Sequence, residues 1–233
     1  MADLHLVRHG QASFGAADYD KLSPVGERQA TLLGRWLKTC GVTPDAIASG
    51  RMRRQLDTAA FCIAESGGPP QDRWTVLDGL GEYDHDSVVA CHRPEWADTE
   101  VMHAALAKTG NPRRAFHAMY LEAVARWTGG AHDADYPEPW PAFKTRVVAG
   151  LRQLVALDAR SIWAFTSGGP ITAIVQHLLG LPDARAFEMN WPLVNAGVTR
   201  LRFSVEAGTV SLATFNAHPH LDQTGDADLI TYR

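Results

Sequence analysis

Arginine and histidine side chains stand next to each other near the start of the chain, at Arg8 and His9. An arginine can hold two oxygens of a phosphate group, while a neutral imidazole nitrogen can attack phosphorus. The apolar residues 4–7 are typical of a buried strand, and Gly10 permits a sharp turn after it. Both side chains are therefore expected at the carboxyl end of a strand, the edge where open α/β sheets bind ligands. Taken alone, the same residues also fit a solvated strand end.

Three more strand-like segments, residues 46–48, 76–77 and 161–165, end in polar or glycine-containing turns. The turn after the last of them, Ser167-Gly168-Gly169-Pro170, opens a predicted helix. A strand, a glycine turn and a helix N-terminus form an anion site from backbone N–H groups and the helix dipole. A second anion-binding element is therefore predicted there.

Helical periodicity and end signals predict several helices between these strands. They cover about residues 24–39, 51–64, 95–108, 113–127, 143–157 and 168–180. Two alternating segments, 198–205 and 210–215, predict a hairpin that closes the sheet.

The segment 83–141 contains helical patterns with prolines, glycines and tryptophans but no good strand. We interpret it as an inserted helical lid over the strand ends. A helical hairpin with a structural role only is the alternative.

Composition limits the class of protein. The 233 residues suit one α/β domain that carries an insertion. With 45% hydrophobic and 21% charged residues, the chain is expected to fold rather than stay disordered. A net charge of -4 provides no basic field, so nucleic acid is not expected as a partner.

Cys40, Cys62 and Cys91 are widely spaced and predict reduced thiols in a cytoplasmic protein. Neither a signal peptide nor a membrane-spanning run is recognised, so no membrane partner is expected. The segments 84–86 and 218–220 contain residue types that bind metals, but nothing else completes a site. No metal and no cofactor are therefore predicted.

Leu-Val-Arg-His-Gly at residues 6–10 resembles the N-terminal signature of the histidine phosphatase superfamily, the phosphoglycerate mutase-like proteins. Other segments resemble those of the family in the same order along the chain. They are Leu-x-x-x-Gly-x-x-Gln-Ala at 22–30, Ser-x-x-x-x-Arg-x-x-x-Thr-Ala at 49–59, Leu-x-Glu at 80–82, Gly-Gly at 168–169 and Asn-x-x-x-His-Leu at 216–221. We expect the last of these to brace the core only.

The resemblance implies one domain over residues 1–233, with the segment 83–141 as its lid. The implied fold is a three-layer α/β/α sandwich with a mostly parallel, doubly wound sheet, an antiparallel edge hairpin and this helical lid insertion.

The resemblance also implies catalytic roles. His9 takes the phosphoryl group as phosphohistidine, Arg8 and Arg54 hold the phosphoryl oxygens, and Glu82 protonates the leaving alkoxide and later helps to deprotonate water. Without the resemblance, the arginines at 51–54 fit a solvated basic turn, and Glu82 fits a surface carboxylate.

Ser167 departs from the family's pattern, because members typically place a second histidine there. A lost charge-assisted hydrogen bond is worth about 1.5–3 kcal/mol, or roughly one to two powers of ten in rate. Gly15 likewise stands where many members have an asparagine. We assign Ser167, Gly168, Gln11 and His85 to substrate binding. His85 would supply the missing imidazole from a different backbone position, and the alternative is a plain surface histidine.

The leading prediction is a phosphomonoester hydrolase that acts on a small phosphorylated metabolite or a phosphopeptide. Its partner would be that substrate or inorganic phosphate, and a dimer is possible. Phosphoglycerate mutase-type transfer, which must exclude water, is one alternative. A catalytically weak phosphate-binding regulatory protein is another, favoured by Ser167 and Gly15.

Overall fold

The computed structural model describes residues 1–13 and 20–232, and a sheet of six strands lies at its centre. The strands are β1 (Ala2–Arg8), β2 (Ala46–Ser49), β3 (Thr75–Val76), β4 (Ser161–Thr166), β5 (Val198–Ser204) and β6 (Thr209–Ala217). Their order across the sheet is β3-β2-β4-β1-β5-β6. The strands from β3 to β1 are parallel, whereas β5 is antiparallel to β1 and β6 is antiparallel to β5. The predicted mostly parallel sheet with an antiparallel edge hairpin is confirmed.

Nine α-helices flank the sheet within the described residues. They are α1 (Pro24–Thr39), α2 (Arg53–Ser66), α3 (His85–His92), α4 (Thr99–Ala107), α5 (Pro112–Thr128), α6 (Trp140–Val155), α7 (Gly168–Leu179), α8 (Asp183–Asn190) and α9 (Pro219–Asp222). Helix α1 shows how local sequence sets a boundary. Ser23 Oγ accepts a hydrogen bond from the Gly26 N–H at 3.1 Å, and Pro24 stands in the first turn, where its missing N–H costs nothing.

Side chains of the central strands alternate between two apolar layers. On one side, Val7, Ile47 and Phe165 pack against α1 and α2. On the other side, Leu6 and Ala164 lie in the larger core cluster with α6, α7 and part of the segment 83–141. The sheet is therefore covered on both faces, and polar groups gather at the ends of its strands.

Three short helices, α3, α8 and α9, are not predicted from the sequence. Helix α3 begins where Asp84 accepts hydrogen bonds from the Asp86 and Ser87 N–H groups, both at 3.1 Å. The Asp84 carboxylate is thus an N-cap. Its side chain is occupied with starting a helix.

The predicted helix 95–108 is wrong in its first turn. Asp98 accepts a hydrogen bond from the Glu100 N–H at 2.9 Å and starts α4 afresh. A separate 3-10 turn, Pro94–Ala97, precedes it. The aspartate offers the backbone a capping partner, so the chain bends between the two elements.

No helix in residues 1–13 and 20–232 combines the length and the apolar character that a membrane span requires.

His220 is a buried histidine that should make the fold acid-sensitive. Its side chain is 0% exposed, and neither ring nitrogen has a hydrogen-bond partner among the described residues. Burial, assisted by His218 and opposed by Asp222, lowers the pKa of His220 to about 3. Since the unfolded chain binds this proton near pH 6.5, stability that is present above pH 6.5 is lost as the pH falls toward 3.

Between pH 7 and pH 4 the free energy of unfolding should fall less in His220→Leu than in wild type, by up to a few kcal/mol. Urea unfolding at both pH values measures this difference, with the exposed His177→Leu as the control. An equal fall in wild type and His220→Leu would show that His220 does not cause the acid sensitivity.

Candidate active site

Four neighbouring strands bring the predicted site residues to one edge of the sheet. His9 follows β1 and Ser167 follows β4. Helix α2, which carries Arg54, follows β2, and Glu82 follows β3 after one 3-10 turn. The His9 N–H donates to Thr166 O at 2.9 Å and ties two of these strand ends together. Segments remote in sequence therefore meet at this edge of the sheet.

His9 is held as a neutral imidazole. Its Nδ1 lies 2.7 Å from Gly10 O, and because a carbonyl only accepts, Nδ1 carries the ring proton. The lone pair is then on Nε2, to which Arg54 Nε donates at 3.2 Å. Burial first, and then the charges of Arg54 and Arg8, hold the pKa of His9 well below 6.5. The imidazole is thus in the form that can attack phosphorus.

Arg54, next to that imidazole, is paired with the carboxylate of Asp20. Its Nη1 donates to Asp20 Oδ1 at 2.7 Å, while the other oxygen of Asp20 accepts from the Arg53 N–H at 2.7 Å. The Arg54 side chain is 4% exposed and that of Asp20 is 39% exposed. The buried guanidinium therefore pairs with an anionic oxygen beside His9, which is how it would also bind a phosphoryl oxygen.

Arg8 contacts the backbone of two later segments. Its Nη2 donates to Tyr232 O at 2.9 Å, and its Nη1 donates to Leu193 O. A phosphoryl group bound by these nitrogens would share them with the two carbonyls or displace them. The charge of Arg8 nevertheless acts on the site, because it helps to lower the pKa of His9.

Glu82 lies against the N-terminus of α7. Its carboxylate oxygens accept from the Gly169 N–H at 3.1 and 3.2 Å. A Cβ on Gly169 would collide with Glu82 Oε1, so only glycine allows this approach. The helix end thus positions the predicted acid close to the Ser167 turn.

Ser167 is fully buried, and its Oγ accepts a hydrogen bond from Gln55 Nε2 at 2.7 Å. Gly168 follows it, and a Cβ there would collide with Asn190 Oδ1 and lie 3.8 Å from Arg8 Nε. The Ser167–Gly168 turn therefore borders Arg8, the last residue of β1.

Two other predicted binding residues differ in their surroundings. Gln11 Oε1 accepts from Ser23 Oγ at 2.8 Å, so this side chain is tied to the start of α1. His85 is the first residue of α3, with its ring edge-on to Tyr83 at 4.3 Å. His85 lies within electrostatic range of His9, because its charge would lower the pKa of His9. The predicted departure at Gly15 lies outside the described residues.

A model of the histidine phosphatase superfamily (branch 1) matches residues 4–216. The chain belongs to this superfamily. One curated relative is a 2,3-bisphosphoglycerate-dependent phosphoglycerate mutase of Thermobifida fusca (strain YX). It is 35% identical to this chain over 74 residues. That match covers 29% of the chain and 30% of the relative.

Solved structures similar to this superfamily member include phosphatases and a mutase. A phosphoglycerate mutase from Bacillus anthracis str. Sterne has a TM-score of 0.64 at 18% identity, with 97% of each chain covered. A phosphoserine phosphatase mutant from Entamoeba histolytica, in complex with phosphoserine, has a TM-score of 0.62 at 19% identity, with 95% of this chain and 100% of that chain covered.

A mycobacterial glucosyl-3-phosphoglycerate phosphatase with inorganic phosphate has a TM-score of 0.57 at 22% identity, with 94% of this chain and 99% of that chain covered. At these identities, the likeness of all three structures to the superfamily member establishes the fold.

Two residues that contact the site of this superfamily member, Gln55 and Asp20, were not recognised from the sequence. Gln55 follows Arg54 directly, and its only signal was a polar residue on the apolar side of a helix start. Asp20 lies in a polar loop with no pattern around it. Both depend on tertiary contacts that chain order does not reveal.

Proposed function

We propose that this protein is a phosphomonoester hydrolase that acts through a phosphohistidine intermediate on a small phosphorylated metabolite or a phosphopeptide. The observation that carries the proposal is the contact of the buried, neutral His9 with Arg54. It joins a nucleophile to a cation that can bind the group under attack.

In the first step, His9 Nε2 forms a bond to phosphorus and the bond from phosphorus to the substrate oxygen breaks. The leaving oxygen takes a proton from Glu82. Arg54 and Arg8 balance the charge of the phosphoryl oxygens. Ser167, the Gly168 N–H and the Gln11 amide are the assigned neutral donors.

In the second step, water attacks phosphorus and the bond to Nε2 breaks. Glu82, now a carboxylate, takes a proton from that water. The products are inorganic phosphate and the free enzyme, so no cofactor is consumed and no metal is assigned.

The segment 83–141 is proposed to form the lid of this site. Tyr120 of α5 and Tyr83, which follows Glu82 directly, share a hydrogen bond of 2.7 Å between their hydroxyls. The helices of the segment therefore reach the proposed acid and can contact the organic part of a substrate. We propose a cytoplasmic location on the basis of the three unpaired cysteines.

Release of inorganic phosphate from p-nitrophenyl phosphate, phosphoserine, sugar phosphates, nucleotides and a phosphopeptide tests the proposal. We expect turnover of the aryl phosphate and of at least one physiological class. Absence of phosphate release from all of them, with phosphate still bound, would favour the weak-binding alternative.

Mutase activity is a second candidate, because the curated relative is a phosphoglycerate mutase. Isomerisation of 3-phosphoglycerate with 2,3-bisphosphoglycerate separates it from hydrolysis. Isomerisation faster than phosphate release would replace the hydrolase proposal with the mutase one.

His85 is proposed as a further donor to the phosphoryl group. Burial lowers the pKa of His85 and the charge of Glu82 opposes this shift, so we assign the ring as a neutral donor. We expect His85→Ala to reduce kcat/KM by about 3- to 10-fold, the worth of one neutral hydrogen bond. His103→Ala on α4 is the exposed control. Unchanged rates in His85→Ala would remove His85 from the site.

A further inference from the structure

We propose that Gln55 is a positioning residue that orients the Ser167 hydroxyl as a hydrogen-bond donor to the transferring phosphoryl group. The proposal rests on the proposed phosphohistidine chemistry. It assigns a fixed neutral donor to the position where the resemblance implies a second histidine.

The amide of Gln55 is fixed at both ends. The Met52 N–H donates to its Oε1 at 3.3 Å, and its Nε2 donates to Leu80 O at 2.9 Å. A reversed amide would set Oε1 against the Leu80 carbonyl oxygen, so the orientation follows from the contacts. Gln55 is 0% exposed, and a Cβ on Gly50 would collide with its Oε1. The side chain is therefore seated tightly beneath the site.

This orientation decides the direction of the Ser167 hydroxyl. The second Nε2 proton of Gln55 points to Ser167 Oγ, 2.7 Å away. Because an amide NH₂ group accepts no hydrogen bond, the Ser167 proton must point elsewhere. Within residues 1–13 and 20–232, Ser167 Oγ accepts the bond from Gln55 and donates none. A fully buried hydroxyl with its proton unused is placed to donate to a bound anion.

Ser167 stands at the N-cap position of α7, but its hydroxyl is not needed to cap the helix. Ser167 is the N-cap residue of α7, and such a serine normally accepts from the second or third N–H of the helix. The second N–H, from Gly169, donates to Glu82, and the third residue is Pro170, which has no N–H. The Ser167 side chain makes no cap hydrogen bond and is turned toward Gln55.

The position of Ser167 fits this role. It follows the central strand β4, between β1, which leads to His9, and β2, which leads to the Arg54 helix. A phosphoryl group held by His9 and Arg54 is thus bordered by the Ser167 turn. The donor acts most strongly where charge gathers on the phosphoryl oxygens, so its loss should reduce kcat/KM more than it changes substrate binding.

Single-turnover formation of phosphohistidine from p-nitrophenyl phosphate tests the proposal in Ser167→Ala, Gln55→Met and the double variant. We expect each single variant to be slower by about 10- to 100-fold, as for one hydrogen bond to a charged group. The double variant should be no slower than Ser167→Ala, because Gln55 acts only through the hydroxyl. Gln176→Met, which removes another buried glutamine from a place outside the site, should keep the wild-type rate.

Thermal unfolding and circular dichroism show whether Gln55→Met folds. If it does not, Gln55→Glu keeps the size of the side chain but accepts the Ser167 proton, and it should be as slow as Ser167→Ala. Wild-type rates in Ser167→Ala, or additive losses in the double variant, would overturn the proposal. Failure of wild type to form phosphohistidine would instead overturn the proposed function, so the two failures are distinguishable.

Discussion

Replacing His9 with alanine should reduce phosphomonoester turnover on the order of 10³-fold or more, because it removes the atom that we propose bonds to phosphorus. The structure makes this residue hard to replace. The His9 ring is fixed by Gly10 O, its Nε2 faces Arg54, and the low pKa of the imidazole keeps it neutral. A water molecule at the same place would lack both the nucleophilicity and the fixed position.

Steady-state kcat/KM with p-nitrophenyl phosphate measures this effect. His177→Ala, an exposed histidine near the other end of α7, is the matched control and should retain wild-type turnover. Circular dichroism should show that both variants fold. A His9→Ala enzyme within 10-fold of wild type would exclude His9 as the nucleophile.

The second large effect is expected for Glu82→Gln and should depend on the leaving group. An alkoxide leaves poorly without a proton, so kcat/KM for phosphoserine or another alkyl phosphate should fall by about 10²- to 10⁴-fold. A nitrophenolate leaves without protonation, so the loss in the first step should be much smaller for p-nitrophenyl phosphate. The glutamine can still accept from the Gly169 N–H, which preserves the contact with α7.

Pre-steady-state formation of phosphohistidine separates this first step from hydrolysis, in which Glu82 is also proposed to act. Glu206→Gln in the β5–β6 hairpin is the control, since it makes the same change of charge at an exposed position away from the site. Equal losses for alkyl and aryl substrates in the first step would contradict the assignment of Glu82 as general acid.

Much of the fold follows from patterns that depend on short stretches. Ser23-Pro24 starts α1 through a local cap, and the apolar residues before His9 form β1 as predicted. Because parallel strands place their carboxyl ends at one edge, recognition of the strands also predicts that His9 and Glu82 lie close together. The parallel pairings of β1 with β4, β4 with β2 and β2 with β3 place the carboxyl ends of the strands that precede these residues at one edge.

Other features depend on contacts between remote segments. Arg8 is predicted to bind phosphoryl oxygens, yet its terminal nitrogens contact carbonyls of residues 193 and 232. Nothing in the residues near Arg8 indicates these partners. Helix α3 is short, and its start depends on the Asp84 cap, which has the same residue type as a metal ligand. Side-chain type alone therefore leaves several roles open until the backbone is known.

The structural role of Gln55 shows the same limit within the site. Its neighbour Arg54 is selected by the spacing to Thr58 and Ala59. The glutamine belongs to no motif that we identified, and its bond to Ser167 joins residues 112 positions apart. The consequence of a serine at position 167 could be stated from the sequence only as a lost charge.

The central claim is that His9 carries the phosphoryl group, and direct detection of this intermediate tests it. The enzyme is mixed with p-nitrophenyl phosphate, quenched in alkali, which preserves phosphohistidine, and digested for mass spectrometry. We predict a phosphorylated peptide that contains His9, with the modification on the imidazole and absent from His9→Ala. Sustained turnover with no phosphorylation of His9, or with the phosphoryl group on another residue, would contradict the account.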